Sequence, residues 1–200
     1  MKIILITFII APLFAVSQNW KDSIPIDENN IAKFETIIDM GGTKDVLYSK
    51  SKIWLPEVIK GEIGSKISIE SEDKQEGYII AKIHTLYQYQ LYEVRKKNIS
   101  KSNDVTTDPI DFTVKLFIKD NKTKIIITDI TFPLYLMPSL FNTYNKTKID
   151  ETEKLLLSEK KEELAEGMTW RAKFSGVYNK VGLIISNYKT SLQKKSDSEF

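Results

Sequence analysis

Apolar and polar positions alternate over much of the chain between residues 33 and 130, and this period of two predicts half-buried β-strands. Strands are expected at 33–39, 66–72, 78–91, 112–119 and 124–130. The polar run at 73–77 ends in glycine and predicts a hairpin between the second and third strands. The third segment would be about 45 Å long if straight, so a bend or bulge is expected within it.

A helical period follows the first strand. Thr43 comes directly after two glycines and is a suitable N-cap for this helix, which Pro56 is expected to kink or end. The buried stripe is expected to consist of Leu47, Ser51, Trp54 and Val58.

The C-terminal third predicts two helices. Asp150 and Glu153 have the spacing of a capping box and predict a helix from there to about residue 164, which Gly167 would break. The helix after Gly167 has the most regular apolar stripe of the chain, formed by Trp170, Phe174, Val177, Val181, Ile184, Tyr188 and Leu192. We expect this stripe to pack on the sheet, with a coiled coil or membrane-surface contact as the alternatives.

The N-terminus has the pattern of a secretory signal peptide. Lys2 precedes an apolar run at 3–14, and the small residues at 15–17 predict cleavage near Ser17 and Gln18. The run is short for a membrane span, so we expect an exported protein, soluble in the periplasm or outside the cell, with an uncleaved anchor as the alternative.

The predicted domain organisation is simple. A flexible lead-in at 18–30 would precede one α+β domain at 31–193, and a polar tail would follow at 194–200. Within the domain, the charged stretch at 95–109 predicts a mobile hairpin loop.

Charge and composition narrow the function classes. The 29 basic residues nearly balance the 27 acidic residues, which argues against a nucleic-acid partner. The chain has no cysteine, so it has neither disulfides nor a lipidated N-terminal cysteine, and thiol catalysis is excluded.

No catalytic set is recognisable in the sequence. His84 is the only histidine, and no phosphate-binding glycine loop or nucleophile motif is present. We therefore expect no enzyme activity, no cofactor and no metal site, and interpret His84 as a residue of the sheet surface rather than a general base.

Several core motifs resemble one bacterial family. They are the strand–Gly41-Gly42–helix entry at 37–45, KIWL at 52–55, KISIE at 66–70, GYIIAK at 77–82 and FTVKLFIK at 112–119. Over about residues 34–130 the chain resembles an exported family of unknown function, found mainly in Bacteroidetes, with a fold like the TATA-box-binding protein (TBP). The resemblance implies a curved antiparallel sheet in the order strand–helix–strand–strand–strand–strand–helix, with helices on one face and here an extra C-terminal helix. It implies no activity or catalytic residues.

Two surfaces are candidates for binding. The first is the open face of the TBP-like sheet, which would present Lys33, Glu35, Ser68, Glu70, Lys82, His84, Lys115 and Lys119. The second is the apolar segment at 131–144, whose two prolines predict irregular structure and which either plugs the core or forms a contact patch. The candidate contact residues are Phe132, Tyr135, Met137, Phe141, Tyr87 and Tyr89.

These features favour a non-enzymatic envelope protein that binds another protein or a surface component. The alternative is a periplasmic carrier that holds a small apolar ligand between the sheet and the C-terminal helix.

Overall fold

The computed structural model describes residues 24–95, 97–134, 137–143 and 145–193, with the side chains of 104, 133–134 and 137–143 left undescribed. The predicted signal peptide at 1–17 and the tail at 194–200 lie outside these ranges. The elements are β1 (Phe34–Asp39), α1 (Lys44–Glu57), β2 (Lys66–Asp73), β3 (Tyr78–Arg95), β4 (Asn98–Lys119), β5 (Lys122–Leu134), β6 (Met137–Thr143), α2 (Lys146–Leu156) and α3 (Lys161–Gln193).

The described strands form one antiparallel sheet in the order β1-β5-β4-β3-β2, and β6 pairs with the end of β5. The predicted curved α+β sheet is therefore confirmed. Its alternation is confirmed as well, because the inward residues are buried beneath the helices: Ile79, Ala81, Ile83, Phe112, Val114, Leu116, Ile118, Ile125 and Ile127. β3 is 18 residues long, and its pairing with β4 shifts register between Gln90 and Tyr92, as a bulge does.

Helix α1 forms as its sequence predicts. The Thr43 side chain caps it by accepting a hydrogen bond from the amide of Val46, and the helix ends one residue beyond Pro56. Its buried stripe contains Ser51, whose hydroxyl lies 2.7 Å from that of Tyr188 in α3. Burial raises the pKa of Tyr188 to about 12.

Helix α3 lies along the sheet and packs mainly on β3. Its predicted stripe is buried from Phe174 to Leu192, and Trp170 is partly buried. The tilted rings of Trp54 and Tyr188, with centroids 4.5 Å apart, join α1 to α3. The interpretation of this stripe as core packing on a sheet is confirmed.

The predicted helix boundaries near the C-terminus are wrong. α2 begins at Lys146 because Asn145 precedes it and accepts a hydrogen bond from the amide of Lys148, so the start is not at Asp150. Gly167 does not break a helix but lies buried within α3. It is needed for close packing, because a Cβ there would lie only 2.9 Å from Leu155 Cβ in α2.

The predicted loop at 95–109 is replaced by strand. Residues 98–109 belong to β4 and pair with β3 down to Arg95 opposite Asn98. Pro109 is tolerated because the pairing of β4 with β5 begins only at Asp111, so one side of the strand needs no donor there.

The segment at 131–144 is also more regular than predicted. It continues β5 and, after residues outside the described ranges, forms β6. Pro133 lies opposite Phe141 of β6, beyond the point where β5 pairs with β4. Its lack of an N–H donor therefore interrupts no pairing with β4.

The described part of the lead-in is folded. Ile24 is buried, and the Asp27 side chain accepts hydrogen bonds from the amides of Asn29 and Ile31. Isolated bridges then join Ile26 to Ala32 and Ile31 to Asn145. Residues 24–27 are therefore attached to the domain by these contacts, whereas residues 28–30 are exposed.

Candidate functional site: the open face of the sheet

The face of the sheet opposite the helices contains a groove of about 600 Å³ that crosses β2, β3, β4 and β5. The residues that line it are Lys66, Ile67, Ser68, Lys82, Ile83, His84, Asp111, Phe112, Thr113, Asp129 and Thr131. Its members Ile83 and Phe112 are buried and point towards the helices. Most of the exposed lining of the groove is nevertheless apolar, and the polar side chains supply its charges and hydrogen-bonding groups.

The pairing register explains why these polar residues meet. Lys66 lies opposite His84, His84 opposite Asp111, and Asp111 opposite Thr131, which makes one row across four strands. The neighbouring row contains Ser68, Lys82, Thr113 and Thr128 in the same order.

His84 and Asp111 form the centre of the groove. His84 Nδ1 lies 2.8 Å from Asp111 Oδ1, and each side chain is 39% exposed. This hydrogen bond fixes the imidazole ring while its other nitrogen remains accessible from the groove. The prediction that His84 lies on the sheet surface beside Lys82 agrees with this geometry.

Asp129 enters the groove through a bulge. The pairing of β4 with β5 shifts between Asp111 and Thr113, and Asp129 has a φ of 53°, in the left-handed region that non-glycine residues seldom adopt. The bulge leaves Asp129 exposed while Ile130 returns to the core. Strained backbone of this kind is often found where a side chain has to be aimed.

Charge is divided across the groove. The cationic side chains Lys66 and Lys82 come from β2 and β3, whereas Asp111 and Asp129 come from β4 and β5. Lys82 Nζ lies 2.8 Å from Glu70, whose hydrogen bond raises the pKa of Lys82, and the charge of Asp129 adds a smaller effect in the same direction.

The other end of the open face is more apolar. Ile37 and Phe117 are exposed there, in a row that β1, β5, β4 and β3 share. Beside them Glu35 binds Lys124 and, at 3.0 Å, Lys33. The hydrogen bonds from Lys124 and Lys33 lower the pKa of Glu35.

The candidate contact residues of the apolar segment do not meet on this face. Phe132, Tyr87 and Tyr89 are buried on the helix side, where the rings of Phe132 and Trp170 have centroids 5.6 Å apart. Tyr135 lies outside the described residues. Met137 and Phe141 belong to β6, and their side chains are not described.

Sequence reasoning missed Lys66, Asp111 and Asp129 as members of the groove. The alternation around buried Phe112 could have placed Asp111 on the open face. The signal for Asp129 is subtler: the inward positions change from odd numbers at Ile127 to even numbers at Ile130, which indicates an inserted residue.

Two ion pairs on the helix side are structural. Lys180 of α3 donates to Glu62 at 2.5 Å, and Thr85 also donates to this carboxylate. Burial alone would raise the pKa of Glu62, but the hydrogen bonds from Lys180 and Thr85 outweigh it and lower that pKa. Lys173 of α3 lies 3.1 Å from Asp108 of β4.

Within the described residues, no group of three or more His, Asp or Glu side chains is arranged to hold a metal ion. The same part of the chain contains no helix that is long and apolar enough to cross a membrane.

A family model agrees with this architecture. The model described as a domain of unknown function (DUF4468) with TBP-like fold matches residues 34–133. The chain belongs to the DUF4468 family. The resemblance predicted from the core motifs, over nearly the same residues, is therefore confirmed. No curated protein matches the chain.

One solved structure extends the likeness beyond the matched residues, and a second is more distant. A DUF4468 family protein from Bacteroides ovatus ATCC 8483 is 13% identical, with a TM-score of 0.59, over 88% of this chain and 93% of that one. A TBP-like protein from Parabacteroides distasonis ATCC 8503 is 15% identical, with a TM-score of 0.46, over 84% of this chain and 97% of that one. At this identity the first likeness shows the fold, and a fold by itself does not assign a function.

Proposed function

We propose that this DUF4468 protein is an exported, non-enzymatic envelope protein that binds another protein or a surface component in the groove of its open sheet face. The observation that carries the proposal is the groove itself, in which polar side chains from four strands converge on an uncovered surface. Export is supported by the N-terminal sequence, with Lys2, the apolar run at 3–14 and a cleavage site near Ser17.

A binding role suits the groove better than catalysis. The His84–Asp111 pair could orient a general base, but a hydrolytic mechanism also needs a nucleophile within its reach. Among the described residues, no serine or threonine hydroxyl is hydrogen-bonded to His84.

The alternative role as a carrier of an apolar ligand has less support. Two clefts, each of about 500 Å³, border β3 and α3 near Gly176, but at Gly176 itself the two elements touch. At Gly176, a methyl group would overlap the carbonyl oxygen of Gln88 and come within 3.1 Å of Tyr87 Cδ2. Farther along α3, Tyr188 and Leu192 are buried against the core.

The groove is tested by capture from an envelope extract of the source cells. The double variant His84→Gln with Asp111→Asn removes the central pair, and Lys60→Gln with Glu57→Gln removes an exposed ion pair at the end of α1 as a matched control. We expect the wild type and the control to retain the same proteins or surface components, and the groove variant to lose them.

Equal recovery by all three proteins would contradict the proposal. Loss only in a further variant, Tyr135→Ala with Met137→Ala, would move the contact to the 131–144 segment. Export has its own measurement. The intact mass of the protein recovered from the envelope should correspond to a chain that begins at Gln18, and a mass that includes the leader would contradict the predicted cleavage.

A further inference from the structure

The two ends of the groove carry opposite charges that no ion pair neutralises. Lys66 lies on β2 and Asp129 on β5, and neither forms an ion pair with another described residue. Three strand spacings, about 14 Å, separate β2 from β5. A ligand that carries both charges could therefore pair with both ends at once.

The middle of the groove is compensated internally. His84 is bound to Asp111, and Lys82 is bound to Glu70. The hydroxyl groups of exposed Ser68 and half-buried Thr131 add neutral hydrogen-bonding groups between the two ends. A matching ligand is therefore charged at its ends and uncharged along its length.

The backbone at Asp129 is the second observation. Its left-handed conformation and the bulge around it put a carboxylate at the rim of the groove. In a strand without the bulge, the alternation would continue and residue 129 would face the helices. An aspartate tolerates this conformation better than most residues, and so does an asparagine. The charge of Asp129 can therefore be removed without a change of backbone.

We propose that the groove binds a short zwitterionic peptide, with its ammonium group against Asp129 and its carboxylate against Lys66. An extended peptide of about four residues spans about 14 Å, which matches the separation of the two ends. Its amides would meet the neutral hydrogen-bonding groups in between. This inference rests on the proposed function, because it names the ligand class of the same groove.

The test uses the imidazole signals of His84, which are unambiguous because the chain has one histidine. The intact protein is titrated with tetraalanine that has both ends free, and then with its N-acetylated, C-amidated and doubly blocked forms. We expect a saturating shift of the His84 resonances with the free peptide. Each single block should weaken binding by about two- to fivefold, because it removes one ion pair at an exposed site.

Variants assign the two ends. Lys66→Gln should make the free and C-amidated peptides bind equally, and Asp129→Asn should do the same for the free and N-acetylated peptides. Lys119→Gln, on β4 at the far end of the sheet, is the matched control and should leave every difference as in the wild type. Thermal unfolding of each variant verifies that it is folded.

Equal binding of all four peptides, or no shift at their highest soluble concentration, would overturn the inference. The inference would also be overturned if Lys66→Gln and Asp129→Asn still bound the free peptide more tightly than the blocked peptides. If the His84→Gln with Asp111→Asn variant still loses capture in those cases, the proposed binding role of the groove stands and only the peptide ligand class is contradicted. If capture does not depend on these two residues either, the proposed function fails as well.

Discussion

The two faces of the sheet are built from alternate residues of the same strands, yet they have opposite character. Ile83 and His84 are neighbours in β3, but Ile83 lies buried beneath α3 while His84 is 39% exposed in the groove. Because the packed face alone determines the register, the outward side chains are free to carry charge and hydrogen-bonding groups. Strand alternation therefore separates the residues that stabilise the fold from those that are available for the proposed binding.

The helix side also closes an edge of the sheet. The pairing of β2 with β3 ends at His84, so the rest of β3 lacks that neighbour. Helix α3 replaces it: Thr169 Oγ1 lies 3.0 Å from the amide and 3.3 Å from the carbonyl oxygen of Tyr92, and Gly176 lies against the carbonyl of Gln88. A covered edge of this kind cannot recruit another strand.

The largest expected difference between the faces concerns aromatic truncation. Trp54→Ala should lower the free energy of unfolding by about 3–5 kcal/mol, because the ring is 1% exposed and packs on Tyr188. Phe117→Ala, on the open face at 41% exposure, should lower it by at most about 1 kcal/mol. Urea unfolding of both variants measures the contrast, and equal losses would contradict it.

A second contrast concerns lysine ion pairs. Lys173→Met should lower the free energy of unfolding by about 3 kcal/mol, because it leaves the carboxylate of Asp108 buried without its cation. Adding Asp108→Asn should recover more than half of this loss. Lys82→Met, on the open face, should leave stability near that of the wild type, because both members of its pair with Glu70 are well exposed.

Chemical denaturation of these variants provides the measurement. An equal effect of the two single substitutions would show that burial does not distinguish the faces. No recovery in the double variant would show that Lys173 acts through its packing over the rings of Tyr89 and Trp170 instead.

The smallest contrast lies within α3 itself. Gly176→Ala should lower the free energy of unfolding by about 2 kcal/mol, because the added methyl overlaps the carbonyl of Gln88 and pushes α3 from the sheet. Gly182→Ala is the matched control on the exposed side of the helix, where a Cβ meets nothing within 4 Å, and should raise it by up to about 1 kcal/mol. Thermal unfolding compares them, and a stabilising Gly176→Ala would contradict close contact between α3 and β3.

Much of the fold could be predicted because its inward residues follow simple periods. The stripe from Phe174 to Leu192 and the alternation around Phe112 need only the geometry of a helix and a strand. Predictions failed where packing between elements decided the local structure. A glycine often ends a helix, but Gly167 lies within α3 and lets α2 and α3 touch. The two prolines at 131–144 predict irregular structure, but Pro133 lies where β5 lacks a partner on one side and the strand continues through it.

The groove was less predictable, since it depends on register across four strands. Alternation places His84 and Lys82 on one face, but it does not say that Asp111 lies opposite His84. The position of Asp129 depends on a bulge that appears in the sequence only as a change of phase between Ile127 and Ile130. Local periodicity therefore identifies the face, and only the paired sheet identifies the site.

The double variant His84→Gln with Asp111→Asn offers the most direct test of the central claim, that the open face binds while the helix-covered face stabilises. Its free energy of unfolding and its capture of envelope components should be measured on the same preparation. We predict a free energy within about 1 kcal/mol of the wild type together with lost capture. Undiminished capture, or a loss of several kcal/mol, would contradict the separation of the two faces.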